Sequence, residues 1–341
     1  MCFGQTSAFH VKGRLCDYSE RINFTFRLCG RKHVPHPGGA EEPMLFEKTV
    51  VMTFENLADD YSTYQQLFEV YLEHSTDHPK TWDFIHGKLA DILNGIDAGR
   101  STLNVMGVGS GSGETDLEIL RLLHSKCPEA RVVNEVVEPS VNMLNKYKAL
   151  LTQTAGIDHI TFNWNQMTAS DFKSSWKEKN PDKKMDFIHM VQMLYYVKDL
   201  EATVLFYQSL LKKNGKLLII LDTEDSGWNQ FWKNFQVQLC SKDSNLCTTA
   251  EDIKSILDVK GITYQSYRIM SELDITKCFI AGDEKGELLM DFLTETMDFS
   301  KKVSPELKAD MLELLKHPDC CRKEDGKIML NSSLEALLID A

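Results

Sequence analysis

The chain has 341 residues, 43% hydrophobic and 26% charged, a composition that allows one or two globular domains with a sizeable core. Lys and Arg number 38 against 50 Asp and Glu, and the net charge of −12 argues against nucleic-acid or anionic-membrane surfaces while suiting a small cationic partner. No apolar stretch reaches the roughly 18 residues that span a bilayer, and nine scattered cysteines with no C-x-x-C pair and no secretory signal fit reduced thiols in the cytoplasm.

Residues 1–46 stand apart, rich in Arg and Lys, poor in acids, and carrying the linker-like His-Val-Pro-His-Pro-Gly-Gly-Ala. They read as a disordered N-terminal extension, with residues 47–341 as the folded domain. An arginine-rich start also fits a mitochondrial presequence, against which Asp17 and Glu20 count. From Leu57, the apolar residues Tyr61, Tyr64, Leu67, Phe68 and Tyr71 recur at helical steps. The run His74-Ser-Thr-Asp-His-Pro ends that helix and caps another, which carries Trp82, Phe84, Ile85 and Leu89. Strands and helices then alternate: strand Leu103–Gly107, helix Glu114–His124, strand Val132–Val137, helix Ser140–Leu151 and strand Ile160–Phe162. Strand Phe187–Met190, helix Leu200–Leu211, strand Lys216–Leu221 and a helix with Trp228 and Trp232 follow. The runs Thr263–Met270, Ile328–Leu330 and Leu334–Ile339 read as further strands. This pattern predicts an α/β fold, a parallel sheet covered by helices on both faces.

Four glycines at alternate positions, Gly107, Gly109, Gly111 and Gly113, follow the first strand and open a helix. A dinucleotide fingerprint needs a glycine three places after its second one, and neither Ser112 nor Glu114 supplies it. Loops of the G-x-G-x-G form serve S-adenosylmethionine-dependent methyltransferases. The next strand closes on Glu138, a carboxylate placed to accept ribose hydroxyls; its rival role is to cap the helix after Pro139 and Ser140. His189 lies within the apolar run of a later strand and reads as a core histidine. Gln192, just past that strand, is placed to hydrogen-bond a ligand.

The segments Tyr71–His78, Asn134–Ser140, Asp186–Asp199, Ser226–Trp228 and Asp291–Thr296 resemble the histamine N-methyltransferase family, collinearly from about residue 57 to Ala341. The resemblance implies a doubly wound, seven-stranded, mostly parallel sheet with a smaller substrate-binding part, acting as a cytosolic monomer on a small imidazole substrate. It implies S-adenosyl-L-methionine as cofactor, contacted by Gly109, Gly111, Glu138, Met143, Ala169 within Thr168–Ser170, and Val191. Met143 stands where the family has glutamine. On the substrate side it implies Gln192 as the catalytic amide, Asp77 at a glutamate position, and Ser332 at an asparagine position with Asn331 beside it. Tyr64, Phe68, Tyr71, Tyr195, Tyr196, Trp228, Trp232 and Phe279 fall at or near its aromatic positions.

Asp in place of Glu withdraws a carboxylate by roughly 1.5 Å, and Ser in place of Asn shrinks what reads as the opposite wall. A longer imidazole compound gains room on that basis. Since the family resembled includes relatives that methylate carnosine to anserine, the resemblance implies carnosine as the favoured substrate, with histamine as the alternative and a non-catalytic cofactor-binding homologue as a third reading. Asp77 has a rival role as a helix cap. His74 and His78 are four apart, but no third ligand accompanies them and no metal is expected. Neither nucleic acid nor membrane is expected as a partner.

Overall fold

Residues 61–93, 101–179, 182–239 and 247–341 are described in the structure, a computed structural model; the expected extension 1–46 and its boundary lie outside them. Helices α1 (Tyr61–His74) and α2 (Asp77–Phe84) come first, and α2 continues through a π turn, Ile85–Leu89, into the short α3 (Ala90–Ile92). The alternating part runs β1 (Thr102–Val108), α4 (Glu114–Lys126), β2 (Arg131–Val137), α5 (Val141–Thr152), β3 (Ile160–Asn165), α6 (Ala169–Lys179), β4 (Met185–Val191), α7 (Leu200–Ser209) and β5 (Leu211–Asp222). Helices α8 (Gly227–Leu239) and α9 (Ala250–Lys260) lead to β6 (Tyr264–Ile269) and β7 (Glu272–Asp274). The chain closes with α10 (Glu284–Leu293), α11 (Phe299–Lys302), α12 (Pro305–Leu315), β8 (Cys321–Glu324), β9 (Lys327–Asn331) and β10 (Leu334–Asp340).

Seven strands form one sheet in the order β3-β2-β1-β4-β5-β10-β6. Strands β3 to β5 pair in parallel, while β10 runs antiparallel to both neighbours. This is the expected doubly wound, mostly parallel architecture. Strand β4 is buried along its length until Val191, because a central parallel strand has helices on both faces and cannot alternate polar with apolar. Successive residues instead feed two cores. Val105, Leu218 and Leu338 pack on one face, and Met106, Ile219 and Leu337 on the other. Helix α4 begins at left-handed Gly113 and places Glu114 and Asp116 in its first turn, where negative charge favours the exposed N–H groups.

The second, three-stranded sheet is antiparallel, in the order β7-β9-β8, and takes up the Ile328–Leu330 run. Thr76 N donates to Glu272 O at 2.9 Å, tying the α1–α2 corner to β7. Helix α10 packs along α1. These pieces stand at the carboxyl ends of the parallel strands, where a doubly wound sheet binds its ligands. No helix among the described residues is long and apolar enough to cross a membrane.

Candidate active site

A cavity of about 800 Å³ opens between the strand ends and the α1, α2 and α10 helices. One half is built by the glycine loop. Gly109 has φ +70°, and a Cβ there would come 2.6 Å from the Met193 Cβ. Gly113 has φ +90°, and a Cβ there would enter the Tyr147 ring. Any larger residue at either place breaks the loop. Glu138 joins this loop to the end of β2: its Oε2 accepts from Gly111 N and its Oε1 from Ser140 N, each at 2.9 Å. Burial raises the Glu138 carboxyl above its ordinary range, against the pull of these two donors. The cap of α5 is Ser140, whose Oγ accepts from Met143 N, so Glu138 is left facing the cavity rather than capping the helix. Met143, Ala169 and Val191 line the same half with Gly109 and Gly111.

Beneath the loop, His189 is 2% exposed, as expected of a core histidine, yet it also lines the cavity. Its Nε2 has no hydrogen-bond partner and stands 3.6 Å from Asp116 Oδ1, too far for a hydrogen bond. Burial lowers His189 to about 3 and raises Asp116 to about 7, so the imidazole is neutral near pH 7 and the two form no ion pair.

The other half is aromatic and acidic. Tyr71 stacks on Phe292 at 4.6 Å between ring centres, and Trp228 stands edge-on to both. Tyr64, Phe68 and Tyr195 extend this box, and exposed Tyr196 forms its rim. Gln192 projects from a left-handed backbone (φ 51°) just past β4, pinned by its N–H to Ile220 O at 2.9 Å. Such a conformation is costly for a residue with a side chain and is concentrated at functional sites. Beside it, Tyr195 bonds Asp222 Oδ2 at 2.7 Å. Desolvation raises the Asp222 carboxyl to about 7.

Asp77 is the first residue of α2, but its carboxylate caps nothing. It accepts from Tyr71, Ser271 and, at 2.9 Å, Ser332. Burial raises its carboxyl, while the hydroxyl donors oppose the rise. Two expectations are corrected here. Ser332 does not form an opposite wall: it is fully buried behind Asp77 and serves it as a hydrogen-bond donor. Asn331 turns away, bonding Asp225 O at 3.1 Å and facing a separate surface cleft with Cys320 and Arg322. Phe279 also lies outside the cavity lining, its ring covered by Lys316. Of the two spaced histidines, His74 bonds Val70 O at 2.8 Å, whereas His78 lines the cavity. No group of three or more potential ligands for a metal ion exists among the described residues.

Asp222, Phe292 and Glu295 also line the cavity, and the sequence did not mark them as site residues. Asp222 follows the same signal as Glu138, a carboxylate at the carboxyl end of a parallel strand. Phe292 lies within the Asp291–Thr296 segment. The lining holds six carboxylates, Asp77, Glu114, Asp116, Glu138, Asp222 and Glu295, and no lysine or arginine among the described residues. That donor set suits cationic ligands. A sulfonium donor fits the loop half, where the glycine loop leaves its space open and Glu138 faces it.

Residues 65–266 match the family described as a methyltransferase domain. The histamine N-methyltransferase of Danio rerio is 53% identical over 84% of this chain and 98% of its own length. Histamine N-methyltransferase B of Xenopus laevis is 41% identical over 84% and 98%. The Bos taurus enzyme of the same name is 38% identical over 85% and 99%.

Proposed function

The chain belongs to the histamine N-methyltransferase family, and from that membership we propose that it methylates an imidazole ring nitrogen of histamine. It is an S-adenosyl-L-methionine-dependent N-methyltransferase, with a small imidazole compound as its class of substrate. The observation that carries the choice of histamine is the substrate half of the cavity, where the carboxyl groups of Asp77 and Asp222 stand beside the aromatic box and no lysine or arginine is among the described lining residues.

Carnosine, the substrate expected from the sequence, finds no support in the relatives or in the cavity. Carnosine carries its own carboxylate, which would be desolvated in a lining that holds no lysine or arginine among the described residues to receive it. Ser332 opens no room for a longer substrate, because it is buried behind Asp77 and donates to its carboxylate. The named relatives are histamine enzymes.

When bound, S-adenosyl-L-methionine supplies a methyl group already activated on a sulfonium. The protein's task is therefore mainly orientation, the alignment of nucleophile and methyl at near-attack distance. In this reading Glu138 receives the ribose hydroxyls, and Gly109, Gly111, Met143, Ala169 and Val191 shape the pocket around the donor. Neutral imidazole, with a reference pKa of about 6.5, keeps a free lone pair near neutrality, so no strong base is required. Gln192 hydrogen-bonds the ring, and the box of Tyr64, Tyr71, Tyr195, Tyr196, Trp228 and Phe292 encloses it. Aromatic faces attract the substrate's ammonium by about 0.5–2 kcal/mol, and Asp77 pairs with it. Transfer of labelled methyl to histamine tests the reading, and also separates it from a homologue that binds the donor without turnover.

A further inference from the structure

The Tyr195 hydroxyl has one proton and two neighbours that can accept it. Its oxygen lies 2.7 Å from Asp222 Oδ2 and also contacts the amide end of Gln192. The oxygen and nitrogen of that amide exchange places by a half-turn, so the hydrogen-bond network decides which faces the phenol. Two proton arrangements satisfy the row. With Asp222 ionised, Tyr195 donates to it, Gln192 Nε2 donates to the phenol oxygen, and Gln192 Oε1 faces the cavity. With Asp222 protonated, every bond reverses and the amide NH₂ faces the cavity.

We infer that Asp222 is a positioning residue which, through Tyr195, sets the end of the Gln192 amide that meets the substrate ring, and so selects the ring nitrogen that is methylated. The inference rests on the imidazole reading above. With Oε1 outward, Gln192 accepts the N–H of one ring nitrogen and leaves the lone pair of the other free to attack. The new N–CH₃ bond forms as the S–CH₃ bond breaks, and that electron pair stays on sulfur. The ring is left as a cation, and its N–H proton, held at Gln192 Oε1, then departs to water. With NH₂ outward, the amide binds a ring lone pair and places the proton on the nitrogen that should attack.

The row has little freedom to evade this choice. Gln192 is held in its left-handed backbone by Ile220 O, and Asp222 N approaches the Tyr195 oxygen at 3.4 Å. The groups facing Asp222 are Tyr195 on the turn Leu194–Tyr196, Tyr71 on α1 and Asp77 on α2. No lysine or arginine lines the cavity among the described residues. A bound substrate ammonium is thus the cation that keeps Asp222 ionised, which couples charge recognition to ring orientation.

The test compares wild type, Asp222→Asn, Tyr195→Phe and the double variant, using histamine with ¹⁵N in the ring. Wild type is expected to form one methylated isomer and, with S-adenosylhomocysteine bound, to hold the ring as one tautomer in ¹⁵N spectra. Each variant is expected to lose isomer selectivity and at least about tenfold in kcat, with donor affinity kept within about twofold. The double variant should be no worse than the single ones, since both break one row. Tyr195→Phe keeps the test decisive if Asp222→Asn fails to fold. Variants with unchanged isomer ratio, tautomer and kcat, beside an active wild type, overturn the inference alone. A wild type that binds the donor but leaves histamine untouched overturns the substrate reading and this inference together.

Discussion

Glu138 accepts the Gly111 N–H at 2.9 Å, so the carboxylate at the end of β2 braces the glycine loop across the cavity floor. Each of its oxygens retains a lone pair beyond the backbone bonds. Glu138→Ala is expected to weaken donor affinity by about 100-fold, or ~2.7 kcal/mol, as measured by calorimetry. Undiminished affinity would reduce Glu138 to a loop brace.

Gln192 acts on the ring and not on the donor. Gln192→Ala should therefore lower kcat by about 10- to 100-fold while donor affinity stays within about twofold. Steady-state kinetics together with donor titration check this. Equal losses in both would mean that the left-handed turn at Gln192 supports the donor pocket instead.

Asp77→Asn keeps the shape and an acceptor for the Ser271 and Ser332 hydroxyls but removes the charge. KM for histamine should rise by about 10- to 100-fold. KM for 4-methylimidazole, whose side group carries no ammonium, should barely move. A rise shared by both compounds would show that Asp77 is structural.

Asp116 titrates at about 7 in the fold against about 3.9 unfolded, so the native state binds more protons between those values. Its stabilising contribution is complete below the lower value and lost as pH rises through the higher one. His189 acts oppositely: held at about 3, against about 6.5 unfolded, its contribution is present above the unfolded value and lost as pH falls. Asp116→Asn removes only the first effect. Stability of wild type minus variant should thus fall from about pH 4 to about pH 7, with a limiting slope of ~1.4 kcal/mol per pH unit, and level off above that. Parallel denaturation curves would contradict a buried, protonated Asp116.

The sheet was legible because its central strands are written as continuous apolar runs, and Glu138 and Gln192 because they stand immediately beyond two of them. Asp222 is the last residue of β5, but the following Thr-Glu-Asp makes it read locally as part of an ordinary acidic loop. The role of Asp77 was ambiguous for a different reason. Its partners Ser271 and Ser332 lie 194 and 255 residues away, so only the tertiary fold separates a cavity-lining carboxylate from a helix cap. Ser332 and Asn331 show how sharply a strand end discriminates: neighbours at the close of β9 point to opposite sides, one towards Asp77 and one to the surface cleft. Phe292 repeats at helical spacing beside buried Leu289 and Leu293, where an aromatic residue reads as core. Strand β8 is mostly exposed and carries no apolar pattern to announce it.

The most direct test of the whole account is methyl transfer from labelled S-adenosyl-L-methionine to histamine and carnosine, each across a full concentration range. The acidic cavity predicts turnover of histamine with a kcat/KM exceeding that for carnosine by at least about tenfold. A preference for carnosine, or donor binding without transfer to histamine, would contradict it.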